Sequence, residues 1–208
     1  MTRLLHISAS PRGEQSESIS LARSFVSGYR EAHLDAVVDE WNLWEADLPA
    51  MGPSAAQAKM NALTGTELTA QQQVEWQLVL DTFERFNDYE HYLFSVPMWN
   101  HGLPYILEHF IDVVSQNELL FTINPEDGYR GLLTGKKAAV VYTAAVYHPD
   151  SPRNFGVDYH AAYFDYWLNF AGIADTARIT FLANMFDENA ESMRERAHLD
   201  AVVLGKGF

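Results

Sequence analysis

Pro97-Met98-Trp99-Asn100-His101-Gly102-Leu103-Pro104-Tyr105-Ile106-Leu107-Glu108-His109-Phe110-Ile111-Asp112 is the stretch that decides how this chain folds. The mostly apolar run His91 to Val96 leads into it and reads as a buried strand. A helical pattern starts at Pro104, which suits the first turn of a helix. The segment between is therefore the carboxyl end of a strand, where open α/β sheets bind their ligands. Met98, Trp99, His101 and the backbone amides around them offer flat or polarizable surfaces, which point to a planar cofactor.

Outward from that junction, strands and helices alternate. Leu4–Ile7, Ala36–Val38, His91–Val96, Lys137–Tyr142 and Ala177–Leu182 read as five strands. Helical spacing begins at Ile19 and continues through Ala22, Phe25, Val26 and Tyr29, with Ser16 or Ser18 as its cap. Further helices are expected at about Ser54–Leu63, Thr69–Asn87, Pro104–Val114, Tyr159–Phe170 and Glu188–Leu204. Trp41–Thr66 otherwise reads as irregular, Ser115–Thr134 as a turn or hairpin, and Thr143–Gly156 as a loop. The alternation predicts an α/β fold: a flavodoxin-like, doubly wound, five-stranded parallel sheet with helices on both faces, formed by one domain over residues 1–208.

Composition narrows the chemistry. The chain has 208 residues, 48% of them hydrophobic, enough for one sizeable core. Its 14 basic and 28 acidic side chains give a formal net charge of −14, which argues against nucleic acid and against an anionic membrane surface. It has no cysteine, so disulfides, thiol catalysis and cysteine-ligated metals are excluded. The histidines lack metal-ligand spacing, and no apolar run reaches the length of a membrane span or signal peptide. A cytoplasmic protein without a resident metal is expected.

The polar turn after the first strand carries Ser8, Ser10, Gly13, Ser16, Glu17 and Ser18. Hydroxyls and amides there would sit at a helix N-terminus, a phosphate cradle by mechanism. The same residues also suit a solvated turn with a serine cap. Neither G-x-G-x-x-G nor the P-loop pattern occurs. A thiol phosphatase lacks its nucleophile here, and a phosphorelay receiver lacks its acidic pair after the first strand. A flavin site remains.

With these residues in view, the chain resembles the FMN-dependent NADH-azoreductases within the flavodoxin-like quinone reductases. The family pattern P-M-Y-N-F-x-x-P-x-x-L-K-x-x-I-D is matched at Pro97, Met98, Asn100, Pro104, Leu107, Ile111 and Asp112. The first-loop pattern S-x-x-x-x-x-S-x-S is matched at Ser10, Ser16 and Ser18, and L-x-T-G-K-K-A at Leu132–Ala138. The likeness runs from Leu4 to about Leu182. It departs at Trp99, His101 and Glu108, where the family has Tyr, Phe and Lys. It departs again at Thr143-Ala144-Ala145-Val146, where the family commonly has S-R-G-G.

The resemblance implies an FMN-dependent NAD(P)H oxidoreductase that reduces quinones and aromatic azo compounds by ping-pong hydride transfer, with NADH or NADPH as donor. Ser10, Ser16, Glu17 and Ser18 would hold the FMN phosphate. Met98, Trp99, Asn100 and His101 would border the isoalloxazine, with Thr143 beside it. Phe121, Tyr147 and Phe155 would line the substrate pocket from either subunit of a homodimer. No protein nucleophile is required, because the cofactor carries the chemistry. Trp99 could be core packing, although its place at a strand end favours the cofactor edge, and His101 could be a solvated loop residue. The aromatic helix containing Tyr159, Tyr163, Phe164, Tyr166, Trp167 and Phe170 suits core or dimer packing. The alternatives are a flavodoxin-like electron carrier and a degenerate family member with weakened flavin binding.

Overall fold

A computed structural model describes residues 2–182 and 188–208. Five parallel strands form the central sheet: β1 (Arg3–Ser8), β2 (Val37–Asn42), β3 (His91–Pro97), β6 (Lys137–Ala144) and β7 (Asp175–Leu182). Their order is β2-β1-β3-β6-β7. The chain winds outward one way and then the other from β1 and β3, so a crevice opens at their carboxyl ends. β4 (Phe121–Asn124) and β5 (Gly128–Gly131) pair separately as an antiparallel hairpin, as the alternation of Phe121 and Ile123 predicts.

Side-chain alternation along the central strands sends residues to two cores. Leu4, Leu93, Ala139 and Val141 face α1 (Glu17–Ala32) and α6 (Ala190–Gly207), where they meet Leu21, Phe25, Ala197 and Ala201. Leu5, Ile7, Tyr92, Phe94, Val140 and Tyr142 face the opposite side. There they pack with Phe83 and Phe86 of α3 (Ala70–Asn87), Phe110 of α4 (Tyr105–Val114), and Phe164 and Trp167 of α5 (Ala161–Ala171). This accounts for the aromatic helix only in part. Phe164 and Trp167 are core, whereas Tyr159, Tyr163 and Tyr166 are 66%, 42% and 66% exposed.

Most helices begin where the local chemistry directs. Ser16, not Ser18, caps α1, its Oγ accepting from the Ile19 amide. Thr69 and Gln72 form a reciprocal capping box at the start of α3. α2 (Pro53–Thr64) carries Pro53 in its first turn and ends at Gly65 in the left-handed region. All five strands of the central sheet are longer than predicted, and two of the extensions shape the site. β2 runs to Asn42 because Asp39 and Glu40 lie on an edge strand, where acidic side chains reach solvent while the backbone pairs with β1. β6 continues through Thr143 and Ala144, paired with β7, into what reads as loop in the sequence.

Candidate active site

The ends of β1, β3 and β6 frame a cleft in two adjoining lobes. The first, of about 360 Å³, is lined by Ser10, Arg12, Ser16, Glu17, Met98, Trp99 and Thr143, with Ala144, Ala145, Phe181 and Ala190 completing it. The second, of about 440 Å³, shares Met98, Ala144 and Ala145 and extends past Asn100 and His101 to Tyr147 and Phe155. Both fall within the range of small-molecule sites, about 300–1,000 Å³.

The first lobe ends at the α1 N-terminus. β1 delivers Ser8 and Ala9, and a short 3-10 turn over Gly13–Gln15 brings the chain round to Ser16. Ser10 is buried, and its Oγ accepts from the Arg12 amide at 3.5 Å. The Ser16 and Ser18 hydroxyls lie 3.1 Å apart. Amides in the first turn of a helix have no intrahelical acceptor and attract anions. The Glu17 carboxylate would oppose an anion, but it is turned toward α6. There it accepts from Arg194 Nε at 2.9 Å and lies 3.4 Å from His198 Nε2. The Glu17 side chain is thus paired with α6, and only its backbone faces the serine-lined end of the cleft. No local sequence signal links Glu17 to a residue 177 positions away.

The second lobe is built on a tight turn. Trp99 and Gly102 exchange backbone hydrogen bonds at 2.9 and 2.8 Å, and Asn100 and His101 between them have φ of 48° and 69°. Two left-handed residues in succession make the primed hairpin turn, which ordinarily prefers Asn-Gly. A histidine at the second position is strained, and two contacts hold it. Its carbonyl accepts from the Tyr159 amide at 3.0 Å. Its ring lies against Gly156, where a Cβ would come within 2.1 Å of Cε1. The Met98 amide already donates to Thr143 O at 2.8 Å, and the Trp99 amide to Gly102 O. The amides of this segment placed to reach a ligand are thus those of Asn100 and His101 at the tip of the turn.

Trp99 stands at the cleft edge with an aromatic backing absent from the sequence reading. Trp44 lies 5.6 Å from it and Tyr105 6.4 Å, centroid to centroid. Trp44 Nε1 donates to Ala9 O at 2.9 Å, tying this wall to the end of β1. Trp44 follows β2 by two residues, so it belongs to the same set of strand ends. Reading β2 to its true end at Asn42 would have placed it there. Thr143 is buried and lines the first lobe. Ala144 and Ala145, where the family commonly has Arg and Gly, line both lobes.

The structure thus brings Ser10, Ser16, Glu17, Met98, Trp99, Asn100, His101, Thr143, Tyr147 and Phe155 to one cleft. Ser18 stands behind it, buried, through its contact with Ser16. Phe121 lies elsewhere within this chain. It lines a groove of about 390 Å³ with Lys59, Met60, Trp76 and Tyr129, and its ring lies tilted against Phe170, centroids 4.9 Å apart. The hairpin carries it away from the sheet's carboxyl edge.

A family profile described as flavodoxin-like fold matches residues 2–203. The FMN-dependent NADH:quinone oxidoreductase of Ruegeria pomeroyi is 37% identical over 197 residues, covering 95% of this chain and 97% of that protein. FMN-dependent NADH:quinone oxidoreductase 9 of Burkholderia lata is 35% identical over 212 residues, with both chains fully covered. Among solved structures, an azoreductase from Bacillus anthracis superposes with a TM-score of 0.90 over the full length of both chains, at 25% identity.

Proposed function

This chain belongs to the flavodoxin-like fold family, among the FMN-dependent NADH:quinone oxidoreductases and azoreductases, and on that premise we propose that it is an FMN-dependent oxidoreductase reducing quinones and azo compounds with NADH. One observation carries the reading. A single cleft joins a helix N-terminus lined with serines to a flat-walled lobe across the ends of three parallel strands.

The residues present fit FMN. Ser10, Ser16 and the first turn of α1 would take the phosphate, with Ser18 supporting Ser16. Met98 and Trp99 would flank the ring over the Thr143–Ala145 floor. The Asn100 and His101 amides would face its polar edge, where preorganised donors favour developing negative charge. Bound there, FMN would supply hydride acceptance from NADH and electron delivery to the second substrate. The chain's own part is to bind, orient and shield. Tyr147 and Phe155 would enclose the substrate in the second lobe, entered by donor and acceptor in turn, which makes the kinetics ping-pong.

Homodimerisation and a cytoplasmic location belong to the same proposal. The exposed faces of Tyr105, Tyr159, Tyr163 and Tyr166 support the first, since aromatic residues are enriched at interfaces. A partner chain is also the route by which Phe121 would meet a cleft. Among the described residues, no helix is long and apolar enough to cross a membrane.

The decisive experiment is an anaerobic titration of the FMN-reconstituted protein with NADH, followed at the flavin absorbance and closed by adding a benzoquinone. Bleaching by NADH and recovery with quinone are expected. Bound flavin that no nicotinamide reduces would replace this reading with an electron carrier. A second measurement addresses the cradle. Arg194→Ala removes the guanidinium from the Glu17 carboxylate, leaving only His198 beside it, and is expected to weaken FMN binding roughly fivefold, with recovery in Arg194→Ala/Glu17→Gln. Equal affinity in the single variant and the parent would remove Arg194 from this account.

A further inference from the structure

Behind the cleft, a buried polar chain crosses the sheet. His6 sits at the middle of β1, only 3% exposed, beside a groove lined by Arg23, Arg30 and Glu40. Its Nε2 lies 2.7 Å from Ser95 Oγ on the adjacent strand β3. The Ser95 hydroxyl, fully buried, donates onward to Ser18 O at 3.2 Å. A hydroxyl has one proton. Because Ser95 gives its proton to Ser18, it accepts from His6, and Nε2 carries the hydrogen. Nδ1 lies 3.9 Å from the Glu40 carboxylate on β2, and His6 holds that carboxyl below its usual range.

The end of this chain is the peptide joining Ser18 to Ile19, whose amide is capped by Ser16 Oγ. The same peptide belongs to the first turn of α1, the phosphate end of the cleft. Apolar packing holds the body of α1 on the sheet. The His6–Ser95–Ser18 relay instead ties its first turn to β1 and β3, beside the Ser16–Ser18 hydroxyl pair.

We propose that His6 is a positioning residue for the phosphate cradle, acting through Ser95 on the Ser18 carbonyl. The inference rests on the FMN reading of the cleft. Removing His6 would leave the Ser95 hydroxyl without its donor and free to turn away from Ser18, loosening the first turn. The loss falls on the phosphate and spares the ring lobe.

The test compares FMN with riboflavin, which differs from it only by the phosphate. Each is titrated into flavin-stripped full-length protein and followed by flavin fluorescence. His6→Phe is expected to lower the ratio of FMN to riboflavin affinity about tenfold, the scale for losing a buried hydrogen bond, with riboflavin affinity unchanged. His6→Gln, whose Nε2 still donates to Ser95, should keep the wild-type ratio. A ratio unchanged in His6→Phe, or equal losses for both flavins, would overturn the inference while leaving FMN binding established. A wild-type protein that takes up neither flavin would overturn the cofactor reading and this inference with it. Should His6→Phe fail to fold, Ser95→Ala breaks the same relay and is read by the same ratio.

Discussion

Gly28→Val is expected to lower the unfolding free energy by about 3 kcal/mol, the upper part of the range for overpacking a tight contact. α1 and α6 cross closely at two glycines. A Cβ on Gly28 would lie 2.1 Å from Val202 O, and one on Gly205 would lie 2.1 Å from Phe25 O. Both obstacles are backbone atoms that no rotamer change can move. The helices would have to separate, pulling Phe25, Ala197 and Ala201 out of their shared core. In an open helix, replacing glycine with alanine gains about 1 kcal/mol, so Gly28→Ala opposes a favourable propensity to an unfavourable contact. Urea denaturation of Gly28→Val, Gly28→Ala and Gly207→Ala separates the two, because a Cβ on Gly207 meets nothing within 4 Å. Gly28→Ala as stable as the parent would refute the close crossing. The displacement also bears on the cleft, because the Arg194 to Glu17 contact bridges the same helices beside its serine-lined end.

Acid is expected to cost the protein on the order of 3 kcal/mol through one histidine. His160 is fully buried at the start of α5, with Nε2 donating to Val96 O at 2.9 Å. Its Nδ1 has no partner among the described residues. Burial pushes its pKa down from 6.5 to about 4, with nearby Asp158 pulling weakly the other way. Above pH 6.5 the ring is neutral whether the chain is folded or not, and it adds no pH dependence. As pH falls toward 4 the unfolded chain takes up a proton that the folded chain refuses, so stability drops across that window. Below it, both states are protonated and this contribution levels off. Carboxylates titrate nearby, so the measurement is a difference. Urea midpoints at pH 7 and pH 4.5 should diverge less in His160→Gln, whose amide can still donate to Val96 O. Identical pH dependence in the two chains would dismiss His160 as the cause. Val96 precedes Pro97 and Met98, and Tyr159 holds the His101 carbonyl, so flavin affinity should hold across this window, where the folded ring is neutral, and fall only as pH drops to about 4 and the folded ring takes up its proton.

The fold was legible because its signals are local. His91–Val96 is mostly apolar and bounded by Pro97, as expected of a strand buried on both faces. Ile19, Ala22, Phe25 and Tyr29 recur at helical spacing behind a serine cap. The two ends of the cleft were legible for the same reason: each lies in one short segment at a strand-to-helix junction. Less legible was β2, whose acidic residues mask an edge strand, and with it Trp44. The amides of Met98 and Trp99 read as ligand donors until their acceptors, Thr143 O and Gly102 O, are known.

What the sequence by itself determined is the α/β alternation, the strand-end position of Ser10–Ser18 and of Met98–His101, and the family to which these patterns belong. These follow from hydrophobic period, turn chemistry and spacing along the chain. Only the tertiary structure decided that Arg194 neutralises Glu17, that Gly156 closes over His101, that Phe121 faces another groove, and that His6 reaches Ser18 through Ser95. Each of these is a contact between segments distant in sequence. Such contacts depend on which strand lies beside which and on how closely the helices approach, and no local pattern encodes that.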